Sequence, residues 1–177
     1  MTTQSLQKIG FIYAAIVVAL LLSAHISALF HQIAPWEISY GMAFLMIFPM
    51  WVLMIFYLNK KGTGMNLTDE EIQNLTLVEK LKTILGNPPD WLFVLVCVLY
   101  VYGTASFFLN GVGLNTPELV NGQYQIFNHG QITHYTQAEY QNLHRNNILG
   151  TTSFFLMFAS VAFTVFFPKK EKDTAIS

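Results

Sequence analysis

The sequence predicts an all-α membrane protein: four transmembrane helices, a cytoplasmic surface helix, and a small extracytoplasmic β-hairpin leading into the last span. Three observations carry that expectation. Charged residues are only 11% of the 177-residue chain, against roughly 25% in soluble domains, too few to coat a water-exposed globule. Four stretches, about 9–30, 38–58, 91–109 and 148–167, hold no Asp, Glu, Lys or Arg. Each has about the 20 helical residues needed to cross roughly 30 Å of hydrocarbon. Lipid cannot satisfy open backbone groups, so such spans must be helical. The third observation is a sorting of cations. Lys8 precedes the first span, Lys60, Lys61, Lys80 and Lys82 lie between the second and third, and Lys169, Lys170 and Lys172 follow the fourth. Arg145 is the lone cation on the opposite side. The positive-inside rule then puts both termini and the 59–90 loop in the cytoplasm.

The length suits one domain over residues 1–177. In the first span, Ala15, Ala19, Ser23 and Ser27 repeat every fourth residue and predict a shallow stripe for close helix packing. The same span has a rival reading as a cleaved signal peptide, cut after Ala24 or Ala28. Leu22 and Ile26 at the −3 positions speak against it, because a small residue is preferred there. Pro49 removes one helical hydrogen bond from the second span and predicts a kink. The single cysteine, Cys97, excludes an internal disulfide and a Cys-based zinc cluster and leaves the redox compartment open.

Between the second and third spans, "TDEEIQNLTLVEKLKTIL" predicts an amphipathic helix over about 69–85. Thr68 is its expected N-cap with Glu71 as capping-box partner, and Ile72, Leu75, Val78, Leu81 and Leu85 form its apolar stripe. Such a helix lies along the membrane or against the bundle, with Lys80 and Lys82 near anionic headgroups; docking of a partner is the alternative. The sequons at Asn66 and Asn74 stay bare if the loop is cytoplasmic.

Residues 110–122 read as irregular loop. Next, "QYQIF" and "QITHYT" flank Asn128-His129-Gly130, a three-residue turn that closes a hairpin over about 123–135. In that register Tyr124 and Ile126 share a face with Ile132 and a part-buried His134. Thr136 and Glu139 form a capping box that starts one helix from about 137 to 167, projecting beyond the membrane.

All five histidines, His25, His31, His129, His134 and His144, fall on or near the outer side. Neutral imidazole is the commonest metal ligand, so they are the candidate ligands for a metal or haem. The spacing supports neither: H-x-x-E-H and H-E-x-x-H are absent, and Glu139 and His144, five apart, turn to different helix faces. The expected metal set is therefore empty, with no cofactor. His25, inside the first span, is expected to bond a hydroxyl at its own depth, from Thr104, Ser106 or Thr151 to Ser153. Arg145 is expected to bond loop carbonyls or lipid phosphate. The residues expected to shape or present the cap are Tyr124, His129, Gly130, His134, Glu139 and Arg145, and no catalytic group is identified.

Gly122 to Tyr124, Asn128 to Gly130, Glu139-Tyr140 and Arg145 make the order G-x-Y, N-H-G, E-Y, R before a final apolar span. That order resembles a pattern in uncharacterised small bacterial multi-pass (four-helix) inner-membrane proteins. The resemblance implies a bacterial inner-membrane location and no activity. The expected function is non-enzymatic: an integral membrane protein whose partners are the lipid bilayer and a protein or a second copy, with no nucleic acid. The alternatives are an extracytoplasmic metal- or haem-binding protein, and a membrane enzyme acting on lipid or quinone at the outer interface.

Overall fold

The computed structural model describes residues 2–30, 39–61, 74–110, 118–128 and 131–168. Five helices and a small sheet follow in the order α1 (Thr3–Leu29), α2 (Tyr40–Lys61), α3 (Leu77–Ile84), α4 (Asp90–Asn110), β1 (Glu118–Val120), β2 (Gln123–Asn128), β3 (Gln131–Tyr135) and α5 (Gln137–Phe166). Helices α1, α2, α4 and α5 are long and apolar enough to cross a membrane. α5 is the hub, with 72% of its apolar stretch buried against 28–33% in the other three. Each surrounding helix offers it a single narrow stripe: Gly10, Ala14, Val17, Leu21, Ala24 and Ala28 on α1, Ala43, Ile47, Met50, Met54 and Tyr57 on α2, and Leu92, Phe93, Val96, Gly103 and Ser106 on α4. The remaining surface of these helices is apolar as well, with Leu45, Val101 and Phe108 at 70%, 70% and 78% exposure. An exterior of that kind suits lipid rather than water.

The close-packing face of α1 is thus Gly10-Ala14-Ala24-Ala28 and not the expected Ala15-Ala19-Ser23-Ser27 stripe. Ala19 is exposed, and Ala15, Ser23 and Ser27 are half-buried at the edge. At Gly10 an added Cβ would fall inside the contact shell of the Phe166 ring. α2 runs on through Pro49, and the Tyr13 hydroxyl donates to the Met46 carbonyl in the same turn (2.9 Å), a neighbour's side chain serving backbone beside the proline.

The expected surface helix is broken at residues 75–76. Leu75 bends the chain, and Thr76 is an extended N-cap whose capping box with Glu79 opens α3 at Leu77, so one continuous helix from 69 is interrupted. The expected Thr68–Glu71 box lies outside the described residues. At the far end, Asn87 N–H bonds the Lys82 carbonyl and Gly86 N–H the Thr83 carbonyl. Gly86 and Asn87 both have positive φ, 76° and 57°, completing a Schellman stop.

The cap differs from a two-stranded hairpin in two ways. β1 adds a third strand, in the order β1-β2-β3, where an irregular loop was expected. Asn121 and Gly122 join β1 to β2 with φ of 52° and 79°, the pair of positive values that a type I′ turn requires. The β2–β3 register is also shifted: Asn128 pairs with Gln131, Phe127 with Ile132, Gln125 with His134 and Tyr124 with Tyr135. Two residues, 129 and 130, separate the paired strands, not three. Since a one-residue slip exchanges faces, Ile132 and His134 share their face with Phe127 and Gln125, opposite Tyr124 and Ile126. His134 is exposed, not part-buried.

Candidate functional site

Two groups of polar and aromatic side chains gather at the cap end of the bundle. The first joins three helices. His25 of α1 is 4% exposed, its Nδ1 lies 2.8 Å from Thr152 Oγ1 of α5, and its Nε2 lies 2.6 Å from the Tyr102 hydroxyl of α4. Proton counting fixes the polarity of this chain. A backbone carbonyl only accepts, and the Thr152 hydroxyl lies 2.6 Å from the Ile148 carbonyl, so its one proton is committed there. Thr152 Oγ1 must then accept from His25 Nδ1–H. A neutral imidazole with a protonated Nδ1 has a bare Nε2, so Tyr102 O–H donates to it. The bonds run one way, from Tyr102 through His25 and Thr152 to Ile148. A threonine at the depth of His25 was expected; Tyr102 was not.

The second group docks the sheet onto the start of α5. Tyr124 of β2 stacks on Tyr140 at 4.3 Å between ring centroids, and Tyr140 lies parallel to the buried His144 at 5.8 Å. A stacked aromatic pair is worth about 0.5–1.5 kcal/mol beyond its buried area, a modest hold for a three-stranded unit. Arg145 Nε donates to the Ala28 carbonyl (3.0 Å), placing a cation at the negative end of the α1 dipole. Glu139 is spent on its own helix: its carboxylate accepts from the Thr136 N–H and hydroxyl, each at 2.8 Å, while Glu139 N–H bonds the Thr136 hydroxyl.

Those bonds from Thr136 hold the Glu139 carboxyl below the usual glutamate pKa. The folded value lies below the unfolded one, so the capping contribution is present above the ordinary value. It is lost as pH falls through the lower, folded value. A carboxyl-carbon NMR titration is expected to place Glu139 below a free glutamate, and Thr136→Ala to move it back up. An unchanged midpoint in that variant would remove the Thr136 hydroxyl as a cause and leave the backbone N–H, which alanine keeps.

No family model, curated protein or solved structure matches this chain. Of the expected residues, His31, His129 and Gly130 lie outside the described residues. Tyr124, His144 and Glu139 are brought to the base of the cap, Arg145 ties α5 to α1, and His134 points away from Tyr124 on the open sheet face. His25 is engaged within the bundle. Among the described residues no three of His, Cys, Asp or Glu come close enough to hold a metal ion.

The open face has one further feature. Phe127 and Ile132, directly paired, are 72% and 55% exposed, and Val120 lies on the same side at 37%. The binary pattern could have shown Phe127, because "QIF" places an apolar residue on each side of the pleat.

Proposed function

We propose that the chain is a non-enzymatic integral membrane protein of the bacterial cytoplasmic membrane, with both termini cytoplasmic, that binds a protein partner through its extracytoplasmic cap. The observation that carries this reading is the Phe127–Ile132 pair. A three-stranded sheet needs one apolar face or a helix to lean on; its inner face leans on Tyr140, and its outer face still presents two large apolar side chains side by side. Burying such a pair is worth about 1.5–3 kcal/mol per side chain, a substantial part of a protein–protein contact. β3 adds to it: its sequence, "QITHY", has none of the lysine or proline that commonly blunts an edge strand. The lysine asymmetry of the sequence supports the orientation, and the resemblance to small bacterial multi-pass proteins supports the membrane.

The metal-binding alternative would need the histidines to converge, and the enzymatic one two of His25, His31, His129, His134 and Glu139 in one pocket; His31 and His129 lie outside the described residues. Among the described residues His25, His134 and His144 serve three different settings. They are a hydrogen-bond chain inside the bundle, an open sheet face and an aromatic stack.

The test is photo-crosslinking in the native host with a benzophenone amino acid at position 127, and a second at Gln141 as control. A discrete adduct is expected from 127, absent from 141, and lost when Ile132 is changed to Asp. Equal labelling from both positions, or an adduct indifferent to Ile132→Asp, would sink the proposal.

A further inference from the structure

We infer that α3 is an interfacial helix, seated in the headgroup layer of the bilayer that α4 enters, with its apolar face down and Lys80 on anionic lipid phosphate. The inference rests on reading the long apolar helices as membrane spans, and it is independent of the cap's partner.

α3 has eight residues, and an isolated helix shorter than about 12–15 residues is marginal in water. Both of its ends are nonetheless closed, by the Thr76–Glu79 capping box and by the Gly86–Asn87 stop. None of its residues is buried. Leu77, Val78, Leu81 and Ile84 are 73%, 51%, 43% and 61% exposed. A helix made so definite locally, with four large apolar side chains uncovered, has a surface that something must cover.

The angular arrangement identifies the cover. At about 100° per residue, Leu77, Val78, Leu81, Ile84 and Leu85 fall within an arc of about 120°. Lys80 and Lys82 lie roughly 40° beyond its two edges, and Glu79 and Thr83 lie on the far side. Apolar centre, lysines at both margins and a carboxylate opposite is the pattern by which lysine stems lie along hydrocarbon with their ammonium groups at headgroup level; Asp90 holds that of Lys82, and Lys80 is left for lipid. A protein groove would set no such two-sided requirement.

Tethering fixes the depth. Leu85 packs against the bundle core. Five residues later Asp90 starts α4, and Lys82 Nζ bonds its carboxylate at 2.7 Å while lying 5.4 Å from the Phe93 ring centroid. Trp91, 59% exposed at the first turn of α4, is the residue type that collects at the membrane–water interface. α3 is thereby held at the level where α4 enters the apolar layer.

The experiment uses the full chain with Cys97→Ala, in nanodiscs of phosphatidylcholine with or without phosphatidylglycerol. Nitroxide labels go one at a time on Leu81→Cys, Thr83→Cys and Val101→Cys, and collisions with oxygen and a water-soluble nickel chelate are compared. The label at 81 is expected to collide with oxygen in preference to nickel, and the label at 83 to show the reverse. Added phosphatidylglycerol is expected to cut nickel access at 81 severalfold, and Lys80→Gln to abolish that response. Nickel access at 81 equal to that at 83 overturns the inference. Shielding of 81 from both reagents overturns it in favour of a protein occupant. Indifference to phosphatidylglycerol overturns the anionic-lipid contact. The label at 101, on the exposed mid-face of α4, separates the two levels: nickel access there defeats the spanning reading itself, whereas lipid access at 101 with water access at 81 defeats only the interfacial helix.

Discussion

Alanine at position 103 is expected to destabilise the folded chain by about 1–3 kcal/mol, the usual range for overpacking, and valine by more. A Cβ at Gly103 would lie 2.8 Å from the Ser153 carbonyl oxygen and 3.1 Å from Met157 Cβ. The first of these is backbone, in the middle of the helix the other long helices pack against, and it has no rotamer to escape into. α4 and α5 must therefore part, and the residue next to Gly103 is Tyr102, whose hydroxyl reaches across to His25. Close approach of backbones is what holds helices together where lipid surrounds them and the hydrophobic effect is spent. At Gly10 the obstacle is the Phe166 ring, a side chain rather than backbone. Alanine there is expected to cost less. Reversible unfolding in mixed micelles, titrated with a denaturing detergent, measures both. A Gly103→Ala midpoint equal to that of the parent chain would show that the two helices are not packed as closely as described.

What was legible beforehand was local. Thr136 and Glu139 sit three apart in front of a long run without a breaker, and the helix begins and ends within a residue of expectation. The apolar runs announced themselves by length alone. Matters that depend on choosing between near-equal local signals were not legible. Thr68–Glu71 and Thr76–Glu79 are both Thr-x-x-Glu, and only the bend at Leu75 shows that α3 starts at the second. In α1, apolar residues lie all round the helix, so no amphipathic contrast marks the packed face, and the regular Ala and Ser spacing pointed one residue away from it. The hairpin register failed for a related reason: Asn128-His129-Gly130 is a plausible three-residue turn and His129-Gly130 a plausible two-residue one, and the pleat exchanges every side chain between them. β1 could have been found, because Asn-Gly between "ELV" and "QYQIF" is the strongest short-range hairpin signal. Tyr102 could have been found too, since a tyrosine hydroxyl among apolar residues usually finds a partner.

Replacing Thr152 by valine is expected to reverse the tautomer of His25. In the parent chain Thr152 accepts from Nδ1–H because its own proton is bound to the Ile148 carbonyl, and nitrogen-15 NMR of His25 should therefore show a protonated Nδ1 and a bare Nε2. Valine keeps the shape of the side chain but offers no acceptor. Leaving Nδ1–H buried and unbonded would cost about 1–3 kcal/mol. Moving the proton to Nε2 avoids much of that, because Tyr102 can turn its hydroxyl and accept, at the expense of a Nδ1 lone pair without a donor. The variant should then show the opposite pair of nitrogen signals and a small loss of stability. Tyr102→Phe has a different expected result: Thr152 still accepts, the Nδ1–H tautomer persists, and the cost stays near the roughly 0.6 kcal/mol average for a hydrogen bond between membrane helices. Hydrogen positions follow here from donors and acceptors, and the spectrum tests them directly. A protonated Nε2 in the parent chain, or identical spectra for the parent and Thr152→Val, would break the one-way chain at its central link.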